Sequence, residues 1–196
     1  MNASGAAKQG EREYPWYATV TGESLCQGDI LINFDVVVPD SSTEGDKASA
    51  RVLTIDALVM TQTCDIEQGK VDSLLLCPCW DLWDFVETAR RNGENWGRDQ
   101  RKALRQGNLP GYYLANDADQ DGIVLSLTIV DFHEVYTAPT RLVASFAATA
   151  GNRLRMLPPY REHLAQAFAR FFMRVGLPVD IPEDKIKLPP VKRRDS

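Results

Sequence analysis

Thr61, Gln62, Thr63, Cys64 and Asp65 bring two hydroxyls, an amide, a thiol and a carboxylate directly after the apolar run Ala57-Leu58-Val59-Met60. Such a run reads as a strand buried on both faces. Polar groups gathered where it surfaces are held rigidly yet stay open to a ligand. Thr61, Thr63 and Asp65 alternate, so an extended chain would carry all three oxygens on one face. That suits hydrogen bonds to a bound molecule, and it equally suits a solvated strand end. Cys64 is the candidate nucleophile. Its thiolate would need a positive neighbour or a base, from His133 or His163, because adjacent Asp65 opposes ionisation. The plainer reading makes Asp65 an acceptor for turn amides.

Cys64, Cys77, Cys79 and His133 are the donor types that zinc takes. The spacing argues against a shared ion. Cys77-Pro78-Cys79 is not a knuckle, and a hairpin turn at Gln68-Gly69 sets Cys64 opposite Ser73 and Cys77 opposite Met60. Four strand residues then separate the thiols, roughly 13 Å. No metal and no cofactor is expected. Cys77 and Cys79, which Cys26 could join, read as buried structural thiols, with a zinc or reactive-thiol site as a further class. Asp117, Asp119 and Asp121 alternate before Gly122 as in a calcium loop, but the twelfth loop position is Thr128, so an acidic hairpin loop is expected.

Arg170 and Arg174 lie one turn apart on the last helical segment, with His163 two turns before Arg170 and Arg153, Arg155 and Arg161 near in sequence. Arginine's planar fork suits phosphate or carboxylate. A solvated basic face near a helix C-terminus is the plainer reading. Trp80, Trp83 and Trp96, with Arg90, Arg91, Arg98, Arg101 and Arg105, combine stacking rings with positive charge, as single-strand binders do and as a helical cover over a sheet also does.

Positioning these groups takes one core, which 196 residues at 44% hydrophobic can supply. Strands are expected at 28–38, 51–63, 72–79, 112–114, 123–130 and 132–136. In the first of these, Ile30 and Ile32 should face one way and Leu31 and Asn33 the other. Helices are expected at 81–92 (capped by Asp81), 97–106 and 160–175, the last with Leu164, Phe168, Phe171 and Val175 as its apolar face. Residues 141–148 fit either state. Residues 1–13 read as disordered, 14–178 as a single domain with a helical insertion at 80–107 and a C-terminal helix at 158–176, and 179–196 as an extended basic tail. The net charge of −5 argues against broad electrostatic binding of nucleic acid. No apolar stretch is long enough to span a membrane and the N-terminus has no apolar core of a signal, so a cytoplasmic, non-secreted protein with reduced thiols is expected.

The order Gly28-Asp29-Ile30-Leu31, a loop, an apolar strand ending at Thr61, a turn, then Leu74-Leu75-Leu76-Cys77-Pro78 resembles the PemK/MazF-like family over residues 25–80. That family has a small SH3-like β-barrel and includes endoribonuclease toxins. The resemblance places Thr61 where the toxins carry a catalytic Ser or Thr, and Arg51 is the nearest arginine to the place of their catalytic Arg. The fold expected is α+β, an SH3-like/PemK-like antiparallel barrel with a helical insertion and a C-terminal helix. The function expected is that of a bacterial-type accessory or binding protein without efficient catalysis. Its binding residues would be Thr61, Thr63, Cys64, Asp65, Arg170 and Arg174. The alternative is an endoribonuclease in which Thr61 and Arg51 handle the 2′-hydroxyl and the phosphate. A protein partner or a homodimer is the expected company; RNA is open but disfavoured by charge.

Overall fold

A computed structural model describes residues 14–40 and 49–173. Expectations for 1–13, for the loop at 41–48, for Arg174 and for the tail at 179–196 lie outside the described residues. The apolar run at 57–60 is buried throughout, Ala57, Leu58 and Val59 completely. It ends β3 (Ala50–Val59), which lies between β2 (Ile30–Pro39) and β4 (Ser73–Asp81). Alternate residues of β3 enter different cores: Leu58 packs with Cys77 and Cys79, and Ala57 and Val59 pack with Leu74 and Leu76.

The sheet continues from β4 to β8 (Thr128–Asp131) and ends at β5 (Tyr112–Ala115), while β9 (Tyr136–Pro139) pairs with the other half of β4. Every pairing is antiparallel. A separate pair joins β1 (Tyr17–Val20) to β10 (Arg153–Met156), and β6 (Ala118–Gln120) forms a hairpin with β7 (Ile123–Leu125). The β1–β10 pair meets the main sheet at one isolated bridge, Asp29 to Arg155, and the Tyr17 hydroxyl reaches the Asn116 carbonyl just past β5 at 2.8 Å. The sheet therefore curls, but no closed barrel forms among the described residues; the architecture is α+β with antiparallel sheets.

Five helices are described. α1 (Thr63–Glu67) and α4 (Thr140–Thr149) cover the Val59–Leu74 side, α4 through Val143 and Ala147. α2 (Leu82–Arg91), α3 (Arg98–Arg105) and the connection between them bury Val86, Leu104 and Trp96 against Ile129, Tyr112 and Leu114. α5 (Tyr160–Phe172) lays Leu164, Phe168 and Phe171 on the Phe132 side. Within the expected 80–107 insertion the helices cover 82–91 and 98–105, while residues 80–81 still belong to β4; as expected, Asp81 caps α2, its carboxylate accepting from the amides of Trp83 and Asp84 at 2.7 and 3.0 Å. No described helix is long and apolar enough to cross a membrane.

The structure departs from the expectations where local chemistry breaks a ladder. β3 stops at Val59, not at 63, because the Thr61 hydroxyl takes the Leu75 N–H that the next backbone pair would have used. The connection to β4 is then α1, not a tight turn, and the register moves by two: Leu58, not Met60, faces Cys77. In β2 the register shifts between Leu31 and Phe34, with Asn33 at φ +55 and its amide held by Asp56. This bulge buries Ile30 and Leu31 together and exposes Ile32 and Asn33, against the expected alternation. The strand expected at 123–130 is two strands broken at Ser126-Leu127, and the one expected at 132–136 begins only at Tyr136. The ambiguous 141–148 segment is helical, and 153–156 is a strand.

Candidate functional site

The segment from Thr61 to Asp65 is a fastened corner. Thr61 is buried, and its Oγ1 accepts the Leu75 N–H at 2.7 Å. Thr63 Oγ1 accepts the Gln27 N–H at 3.1 Å, while Gln27 Nε2 donates to the Met60 carbonyl at 2.8 Å. Asp65 sits in the first turn of α1 with Lys70 at 3.9 Å. The three oxygens therefore do not share an extended face, because the chain is turning, and two of them hold backbone amides. Cys64 is exposed, with Gln62 Oε1 at 3.7 Å and Asp65 Oδ1 at 3.8 Å as its sulfur's neighbours. Arg51 stands at the far end of β3 from Thr61, exposed and opposite Val38.

Cys26, Cys77 and Cys79 are buried and free. Burial pushes the Cys77 thiol up to about 12, and raises Cys79 well above the usual thiol range. Both stay protonated, packed as small apolar groups. Among the described residues no cluster of three or more His, Cys, Asp or Glu side chains could hold a metal. His133 is engaged elsewhere: its Nδ1 lies 2.7 Å from Asp131 Oδ1, and its ring packs on Tyr112, Phe171 and the bare Cα of Gly111.

The Gly28-Asp29 pair does structural work that sequence reading missed. Asp29 is fully buried, and its carboxylate accepts from Arg153 Nε at 3.0 Å, Arg155 Nε at 2.5 Å, Arg155 Nη2 at 2.9 Å and the Cys26 amide at 3.2 Å. Arg153 also binds the carbonyls of Gly22 and Ser24. Gly28 has φ +87, and a Cβ there would stand 2.9 Å from that of Met156. Arg153 and Arg155 are thus a strand-borne clamp on Asp29. Their i, i+2 spacing was the available signal, because it puts both on one face of a strand.

The remaining basic candidate, Arg170, lies on a different feature: a cleft of about 960 Å³ between α5 and the segment that runs from the end of α3 into β5. One stripe of α5 (Tyr160, His163, Ala167, Arg170 and Phe171) forms one wall, as its i, i+3, i+7, i+10 spacing allows. Arg105, Asn108 and the edge strand β5 form the opposite side. Among the described residues no Asp or Glu lines the cleft. Neither arginine forms an ion pair among the described residues; Arg170 Nε rests on the Gln166 carbonyl at 3.3 Å. The two tyrosines of β5 stay uncharged: burial raises Tyr112 to about 12 and Tyr113 further, and Tyr113 Oη donates to the Tyr160 carbonyl at 3.2 Å. Trp16 reaches the cleft from the chain start, stacked on Tyr160. No family model, curated protein or solved structure matches this chain.

The structure thus separates the residues that the sequence grouped as one binding set. Thr61, Thr63, Cys64 and Asp65 stay together at the corner, whereas Arg170 and His163 belong to the cleft. Trp16, Tyr112 and Tyr160 were missed as site residues, and Arg105 was grouped with Trp80, Trp83 and Trp96, not with Arg170. They come from three distant segments, and only the turn at Asn108-Leu109-Pro110-Gly111 hinted that the chain folds back there.

Proposed function

We propose that this chain is a cytoplasmic accessory or binding protein on a PemK/MazF-like, SH3-type barrel, and that the cleft between α5 and β5 takes a small anionic ligand. The observation that carries this is the acid-free wall. In a chain with 27 Asp and Glu against 22 Lys and Arg, a large concave surface holds, among the described residues, two arginines outside any ion pair and no carboxylate. Low-dielectric aromatic walls strengthen the attraction of those arginines for an anion, and the volume falls within the range of small-molecule sites. The barrel-type reading draws on the curl of the antiparallel sheet, which stays open among the described residues, and the cytoplasmic one on four free cysteines. Binding without catalysis is the better reading because the Thr61 hydroxyl is committed to Leu75 N–H and Arg51 lies at the other end of β3, so toxin-like phosphate chemistry has no assembled pair of groups there.

The test is titration calorimetry with a panel of small anions that includes pyrophosphate, citrate and nucleoside monophosphates. At least one should bind, more weakly at high salt. Arg170→Ala and Arg105→Ala should each weaken it about ten-fold or more, as expected for loss of a charge-assisted pair. Binding by no anion, or binding indifferent to both substitutions, would refute the reading.

A further inference from the structure

We propose that the ligand of this cleft is a nucleoside phosphate; the proposal rests on the anion-binding reading and names its substrate class. Three kinds of group line the wall, and each fits one part of such a molecule. The first is a ring stack. Trp16 and Tyr160 lie nearly parallel, with centroids 3.6 Å apart and planes at 9°, and both border the cleft. A base extends that stack, because any planar aromatic ring gains by lying on another. The second is an amide at the same end. The Asn116 carbonyl is fixed by the Tyr17 hydroxyl, so its side chain offers a donor and an acceptor from an anchored backbone to a base edge. The third is the cation at the opposite end. Arg170 follows Tyr160 by ten residues, about 15 Å along the helix, but its Nε folds back onto the Gln166 carbonyl, six residues or about 9 Å from the stacked ring, close to the span from a base edge to its 5′-phosphate.

The order of these groups along α5 gives the ligand a direction. Tyr160 and His163 stand at the stacked-ring end, and Arg170 stands beyond them with Arg105 on the facing side. Guanidinium forks pair with phosphate oxygens two at a time. Tyr112 and Tyr113 are held as neutral phenols, and the acids that bear on Tyr112, which are Asp131, Glu94 and Glu134, stand behind the wall and do not line the cleft. Pyrophosphate or a dicarboxylate would use the arginines and leave the rings and the amide without a partner. A neutral aromatic would do the reverse.

The experiment uses the full chain and compares AMP, GMP, CMP and UMP with adenosine, pyrophosphate and citrate by titration calorimetry. At least one nucleotide should bind ten-fold or more tightly than adenosine, pyrophosphate and citrate. Arg170→Gln should bring that nucleotide down towards the affinity of adenosine. Trp16→Leu should weaken it about ten-fold while leaving pyrophosphate unchanged, with Trp16→Phe as the second variant should the first not fold. Nucleotides no tighter than pyrophosphate or citrate would overturn this proposal and leave the anion-binding reading standing. Binding of none of them would overturn both.

Discussion

Replacing Asp29 by Ala should be among the most destabilising single changes in the described fold. Asp29 is fully buried and Arg153 is 3% exposed, so removing the carboxylate strands a guanidinium out of water with only carbonyls for company. Breaking a buried pair from one side costs about 3–5 kcal/mol. For a chain of this size that corresponds to a fall in Tm of roughly 6–20 °C. Arg155→Met should cost less, about 1.5–3 kcal/mol, the worth of hydrogen bonds to a charged group, because Arg153 still neutralises Asp29 and Arg155 is 18% exposed. The double variant Asp29→Ala/Arg153→Met should lose less than the sum of its singles, because it removes the stranded charge along with the carboxylate. The assay is urea unfolding followed by circular dichroism, with Asp29→Asn as the variant of matched volume if the alanine form does not fold. A loss below about 1 kcal/mol for Asp29→Ala, or strict additivity in the cycle, would show that the carboxylate is not the clamp's centre.

Thr61→Ala should destabilise by about 1–3 kcal/mol, because the Leu75 amide loses its acceptor, with Thr61→Ser close to wild type and anion binding in the cleft unaltered; full stability with lost binding or lost activity would count against a structural role for Thr61. The buried thiols predict alkaline sensitivity. Cys77 is raised from 9.0 to about 12, so its stabilisation is complete below pH 9 and is lost as the pH rises towards 12, at up to about 1.4 kcal/mol per pH unit per thiol. The urea midpoint should therefore fall across that window, and native Cys64 alone should react promptly with a thiol reagent. A flat or rising midpoint, or rapid labelling of a second thiol, would contradict the burial.

The elements legible in the sequence are those whose signal is local. The Asp81 cap, the two insertion helices, the apolar stripe of α5 and the doubly buried run at 57–60 follow from caps and periodicity within about a dozen residues. The end of β3 was illegible because Thr61 replaces a backbone acceptor by a hydroxyl, which no pattern of apolar residues records. Once α1 stood in place of a tight turn, the pairing of Leu58 with Cys77 followed. The bulge at Ile32-Asn33 inverted a clean-looking alternation for a similar reason, since the Asp56 side chain holds the extra amide. The cleft was half legible. Arg170 and His163 show as one helical stripe, but Trp16 and Arg105 join them only through the way distant segments cross, and periodicity carries no long-range distance.

The clamp on Asp29 also has a temporal meaning. Its partners lie 124 and 126 residues further along the chain. At a synthesis rate of ~5–20 residues per second, Arg153 emerges roughly 6–25 s after Asp29. Throughout that interval the carboxylate lacks these two counter-charges, and an unpaired acid resists leaving water. β1 waits longer still for β10, from which it is separated by more of the chain. The partners that let Asp29 leave water are complete only once β10 is made, so the start of β2 is among the last parts of the sheet able to bury.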